Sequence, residues 1–128
     1  MDQEQKVTLE EVQQIFTADR FGTEAAGAVV TDFGERYAKC EMELKPVHLN
    51  ASGRVMGGVP FTLADFAVAV AAQGYRKTLD TVSLESEISY FAAAKGKHLI
   101  AEAICIKAGR TTSYYEVMIT DDLGTKVA

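Results

Sequence analysis

Gly57-Gly58-Val59-Pro60-Phe61-Thr62-Leu63-Ala64-Asp65-Phe66-Ala67-Val68-Ala69-Val70-Ala71-Ala72 is the stretch on which the fold turns. Residues 59–72 are alanine-rich and apolar nearly all round. They predict a helix over about 58–75 that belongs in an interior. Pro60 suits its first turn, where a missing N–H costs nothing, and Gly74 stands near its end. A carboxylate on such a helix is costly unless it is hydrogen-bonded, paired or needed for its charge, so Asp65 calls for an explanation. Upstream, Gly57-Gly58 is a sequence that leaves backbone N–H groups bare at a helix start. Bare donors at one end and an acid two turns in are the materials of acyl-transfer chemistry.

The flanking sequence supplies the rest of a layer. Residues 8–17 predict an amphipathic helix: Thr8 as N-cap, Glu11 completing a capping box, and Leu9, Val12, Ile15 and Phe16 on one face. Residues 19–23 read as a break. Strands are expected at 25–33 and 36–44, joined at Gly34-Glu35. In the second, Tyr37, Lys39, Glu41 and Glu43 alternate with Ala38, Cys40, Met42 and Leu44, which leaves one face wet. Residues 47–57 have a loop composition. After Asp80 the pattern is of strands, at 81–92, 98–108 and 111–121, with Lys126-Val127-Ala128 opening another. The expected fold class is therefore α+β, an antiparallel sheet wrapped around one long central helix, with surplus apolar surface spent on oligomer contacts.

The chain of 128 residues is the size of one domain, 1–128, with the polar residues 1–6 expected to be disordered. Hydrophobic residues make up 48%, enough for a core, and the net charge of −5 weighs against a nucleic-acid partner. The N-terminus lacks the apolar segment of a secretory signal, and the run 59–72 is shorter than the ~20 residues that span a bilayer. A soluble, cytoplasmic protein without a membrane partner is expected. Cys40 and Cys105 form no CxxC and read as two reduced, buried thiols. With His48 and His98 they make no metal-ligand cluster, so no metal is expected.

His48-Leu49-Asn50, Gly53, Val55-Met56-Gly57-Gly58 and Phe61-Thr62-Leu63-Ala64-Asp65 together resemble the signature of hotdog-fold acyl-CoA thioesterases of the phenylacetate-degradation type. Thr81-Val82-Ser83-Leu84, Ile88-Ser89-Tyr90-Phe91 and Lys107-Ala108-Gly109-Arg110-Thr111 resemble that family's strands and its glycine-basic turn, so the likeness covers roughly residues 10–128. The resemblance implies a fold and a division of labour. Gly57 would offer its N–H to the thioester carbonyl, with Gly58 beside it at the helix start. Asn50 would help place the thioester or the attacking water. Asp65 of the partner subunit would act as nucleophile or general base, and Ser83 would help hold the water. Gly109, Arg110 and Thr111 would meet the cofactor's phosphates. His48, Met56, Gly58 and Phe61 would lie at the substrate, although His48 reads more simply as structural. The CoA thioester is the substrate, so no other cofactor is implied. The partner is a second copy of the chain, in a dimer or a tetramer of two dimers.

One departure stands out. The family pattern has His before the two glycines, where this chain has Met56, which cannot hydrogen-bond as imidazole does. The expectation is a small-to-medium acyl- or aryl-CoA thioesterase, with Val59, Phe61 and Phe66 near the acyl pocket. The alternative is a non-catalytic acyl-CoA-binding protein of the same fold. A hydratase of that fold would pair the Asp with a His, and neither His48 nor His98 has that spacing.

Overall fold

Helix α2 (Gly58–Gln73) lies against a four-stranded antiparallel sheet ordered β1 (Ala28–Gly34), β2 (Tyr37–Glu43), β3 (His98–Ala108) and β4 (Ser113–Asp121) in a computed structural model that describes residues 6–128. Residues 1–5, most of the tail expected to be disordered, lie outside the described residues. Side-chain size explains how helix and sheet meet. Across the β2–β3 ladder, Ala38 pairs with Ala103, Cys40 with Ala101 and Met42 with Leu99, and all six are buried. The small ones form a trough. Into it α2 lowers Leu63, Phe66, Ala67, Val70 and Ala71, also buried. Each large side chain buried this way contributes about 1.5–3 kcal/mol. Ile119 of β4, opposite Ala101, closes the next row.

Helix α1 (Leu9–Phe16) starts as its sequence implies. Thr8 Oγ1 accepts the Glu11 N–H at 3.1 Å and Glu11 Oε1 accepts the Thr8 N–H at 2.9 Å. Val12 and Phe16 are buried, and Phe16 meets Phe66 edge-on with ring centroids 5.9 Å apart. The expected break after α1 is wound into a single wide turn, Phe21–Ala25. Asp19 holds it, accepting the Gly22 N–H at 2.9 Å on Oδ1. Gly22 has no room for a side chain, because a Cβ there would sit 2.9 Å from the Phe66 ring.

Three expectations are corrected. Segment 81–92 has the alternation of a strand but forms none; Val82 and Leu84 stand 84% and 80% exposed. A strand needs a neighbour along its length. Here the only backbone bonds, among the described residues, run from the Phe91 and Ala92 N–H groups to Val127 O, at 2.8 and 3.3 Å. Val127 N–H in turn donates to Ile119 O at 2.9 Å, so 126–128 pairs with β4 and separates it from 91–92. Second, α2 is not buried all round. Its far side is half-open, and Asp65 is exposed there. Third, Cys40 is buried but Cys105 only half so; burial pushes the Cys40 thiol up to about 12.

One buried acid organises the end of the sheet. Asp121, 2% exposed, accepts N–H groups from Lys95 (2.7 Å), Gly96 (2.9 Å), Leu123 (3.0 Å) and Thr125 (2.8 Å). Burial alone would raise its pKa. The donors of Lys95, Thr125 and Gly96 outweigh burial and hold the carboxyl well below the usual range. Gly96 gives room to the Asp122 carboxylate, which a Cβ would displace from the Lys97 and His98 N–H groups that it accepts. No helix among the described residues is long and apolar enough to cross a membrane.

Candidate active site

The first turn of α2 has no side-chain cap. Gly57 occupies the N-cap with helical φ −57 and ψ −32. Val59 N–H reaches back to Met56 O at 2.9 Å, and Pro60 has no proton to give. Among the described residues the N–H groups of Gly57 and Gly58 meet no acceptor. Two free donors therefore stand at the positive end of a sixteen-residue helix, an arrangement that favours a negative oxygen.

The loop before it is built from backbone contacts. His48, 5% exposed, receives the Lys45 N–H on Nδ1 at 2.9 Å and donates from Nε2 to Ala26 O at 2.8 Å. Both ring nitrogens are occupied, so the ring ties the loop to the chain before β1 and has none left for a ligand. Its own carbonyl accepts the Met56 N–H at 2.9 Å. Asn50 Oδ1 accepts the N–H groups of Ser52 (2.9 Å) and Arg54 (3.1 Å). The loop thus consumes the amide oxygen, while Nδ2 keeps its two protons free of any acceptor among the described residues. Met56 is 56% exposed at the lip of the helix start.

Two clefts flank the first turns of α2. One, of about 380 Å³, is lined by Asn50, Arg54, Gly57, Tyr90, Phe91 and Val127, with Ala92–Ala94 beside them. The other, of about 470 Å³, is lined by Asp19, Phe21, Gly58, Phe61, Thr62 and Asp65, with Gly22 and Phe66 at its floor. Ser83 Oγ donates to Asp65 Oδ1 at 3.2 Å, which leaves Oδ2 open. Of the residues singled out in the sequence, Asn50 and Gly57 therefore meet in one cleft. Asp65, Gly58 and Phe61 meet in the other, with Ser83 at the acid. Gly109, Arg110 and Thr111 meet neither within one chain. They are exposed at the β3–β4 hairpin, whereas the loop to Gly57 leaves β2 at Glu43, which pairs with His98 at the opposite end of β3.

Tyr90 belongs to the first cleft but reads in the sequence as an ordinary core or interface aromatic. Its hydroxyl donates to the Gly57 carbonyl at 2.7 Å. A contact spanning 33 residues leaves no periodic or motif signal by which sequence could find it. Asp19, Phe21 and Arg54 join the linings with no more signal than Tyr90 has.

Residues 52–128 match the Thioesterase superfamily. The chain belongs to this superfamily. By family it is a thioester hydrolase, and the likeness extends beyond the matched segment. A protein of Archaeoglobus fulgidus named as a candidate esterase is 35% identical over 82% of this chain and 68% of its own. Human acyl-coenzyme A thioesterase 13 is 31% identical over 64% of this chain and 59% of its own. This thioesterase-superfamily chain thus spans about six- to seven-tenths of the length of those two relatives. Among solved structures, a hypothetical thioesterase of Streptococcus pneumoniae with coenzyme A superposes with TM-score 0.75 at 26% identity, covering 88% of each chain. A mutant form of phenylacetic acid degradation protein PaaI from Thermus thermophilus gives TM-score 0.72 at 28% identity, covering 81% of this chain and 88% of that one. The family read from the motif and the α+β architecture read from the order of the elements are those found.

Proposed function

We propose that the protein hydrolyses a small-to-medium acyl- or aryl-CoA thioester to the free acid and CoA, at sites assembled between two copies of the chain. The observation that carries this reading is the separation of Gly57, with Asn50, in one cleft from Asp65 in the other. Eight residues of helix amount to about 12 Å, too far for both ends to act on one carbonyl. Two antiparallel copies of α2 could bring the donor cleft of one chain to the acid of the other. The names of the human relative and of the CoA-containing structure support the substrate class.

In this mechanism the thioester oxygen accepts hydrogen bonds from Gly57 N–H and Asn50 Nδ2, with Gly58 N–H adjoining. As the carbonyl becomes tetrahedral, negative charge gathers on that oxygen, and one such fixed donor contributes roughly 2.7–4 kcal/mol at the barrier. Asp65 of the partner subunit removes a proton from water through Oδ2 while Ser83 steadies Oδ1; the water oxygen bonds to the carbonyl carbon. Collapse breaks the C–S bond, and the thiolate of CoA leaves and takes up a proton. Attack by the Asp65 carboxylate itself, followed by hydrolysis of the anhydride, is the other route open to the same groups. Phe61 and Met56 border the acyl group. His48 serves by holding the loop. Gly109-Arg110-Thr111, remote within one chain, would reach the phosphates only from a neighbouring copy. The assembly in this reading is a dimer or a tetramer of two dimers, working in the cytoplasm.

A thiol-release assay over short, medium and aromatic CoA esters tests it, with Asp65→Asn beside wild type. Turnover by wild type and its loss in the variant are expected; equal rates in both defeat the role of Asp65. Met56 favours one second reading, a protein that binds acyl-CoA without cleaving it. Tight binding of the esters with no thiol released across the panel would establish that reading instead.

A further inference from the structure

We infer that Tyr90 is a positioning residue that aims the donors at the start of α2; the inference rests on the proposed role of Gly57 and deepens it. Three observations carry it. The Tyr90 hydroxyl donates to Gly57 O at 2.7 Å, whereas the helix's own bond to that oxygen, from Phe61 N–H, is stretched to 3.4 Å. The shorter of the two bonds to that oxygen is the phenol's. Second, the contact is close: a Cβ on Gly57 would lie 3.0 Å from the Tyr90 hydroxyl, so a side chain there would push the phenol away by a few tenths of an ångström. Glycine at 57 therefore admits the phenol as well as leaving the N–H uncovered. Third, Tyr90 lines the same cleft as Asn50 and Gly57, so the anchor stands beside the donors it would orient.

The physical effect follows from the peptide unit. Gly57 O and Gly58 N–H belong to one planar amide, so pinning the oxygen sets the plane and the direction of that N–H. The Gly57 N–H lies in the preceding peptide plane, across the two rotatable bonds of the same α-carbon, so the anchor steadies it only indirectly. Glycine is the residue least able to hold such a geometry unaided, because its backbone is the freest. A hydrogen bond into the carbonyl also polarises the amide and strengthens its N–H as a donor. A side chain 52% exposed adds little to the core, so its hydroxyl is spent on the site more than on stability.

Tyr90→Phe in the full oligomeric protein tests this, with Tyr90→Leu in parallel. The lost neutral hydrogen bond should lower kcat about tenfold while KM stays within about twofold. The unfolding temperature should barely move, and the Gly58 amide proton should shift upfield by NMR. Tyr90→Leu should lose at least as much kcat. A Phe variant within twofold of wild type in kcat, or a fall in kcat matched by a rise in KM and a lowered unfolding temperature, overturns the inference and leaves the thioesterase reading standing. If wild type cleaves no CoA ester, that reading fails by itself. The Gly58 resonance then decides alone: a shift upholds the anchor, and an unmoved signal overturns it.

Discussion

The two clefts beside α2 share a helix and differ in almost everything else. The donor cleft is made of backbone: Gly57 N–H, a loop knotted by His48 and Asn50, and a wall from 90–94 pinned through Asp121. The acid cleft is made of side chains, with Asp65 and Ser83 above a floor of Phe61 and Phe66. Backbone donors survive most side-chain substitutions, whereas a carboxylate can be deleted by one atom's change. In the proposed reading each side is half a site, one stabilising charge and the other supplying it.

The largest effect should come from the acid side. Asp65→Asn should lower kcat by about 10²- to 10⁴-fold, the range of a lost general base. Because Asp65 is exposed, the unfolding temperature should hold; thiol release and thermal melts read both. Next, Asn50→Asp keeps the loop's acceptor for Ser52 and Arg54 but removes the amide donor, and should cost about 10²-fold in kcat. Mixing this variant with Asp65→Asn and reassembling the oligomer separates the two halves directly. If the halves come from different chains, random dimers should recover about a quarter of the wild-type rate. No recovery would mean that Asn50 and Asp65 serve from one chain.

The frame of the donor cleft should be more sensitive to acid than the rest. With its pKa depressed in the folded state, Asp121 contributes stability that is present above about pH 4, the unfolded value, and is lost as pH falls through the folded one. Asp121→Ala should remove this dependence and lower the unfolding temperature by roughly 5–10 °C, since four N–H groups lose their acceptor. Hydrogen exchange at 95–97 should report the loss before it reaches α2. The smallest effect belongs to Met56→His, at the exposed lip: a change in kcat/KM of less than about tenfold, since the glycine donors are untouched. A hundredfold gain would instead make position 56 part of the chemistry.

Much of this architecture is legible in the order of residues. The α2 stretch, the capping box at Thr8 and Glu11, the alternation of 37–44 and the apolar run within 98–108 each rest on neighbours close in sequence, and each element is found. Segment 81–92 shows the limit. Its alternation resembles that of β2 with one gap at Ser86, yet Val82 and Leu84 are exposed because a strand is a property of a pair. Asp65 shows another: an apolar helix announces burial without saying which side meets the sheet.

What the sequence by itself determined is local and periodic: where helices begin, which faces are apolar, and which residue types stand at motif spacing. Only tertiary structure decided which of these meet. It joined Tyr90 to Gly57, spent both nitrogens of His48 on backbone, divided Asn50 from Asp65, and sent Gly109–Thr111 to the far end of the sheet. The reason is that distance along a chain fixes geometry within a turn or a pair of strands. Contacts across tens of residues depend on how whole layers pack, and no single stretch carries that information.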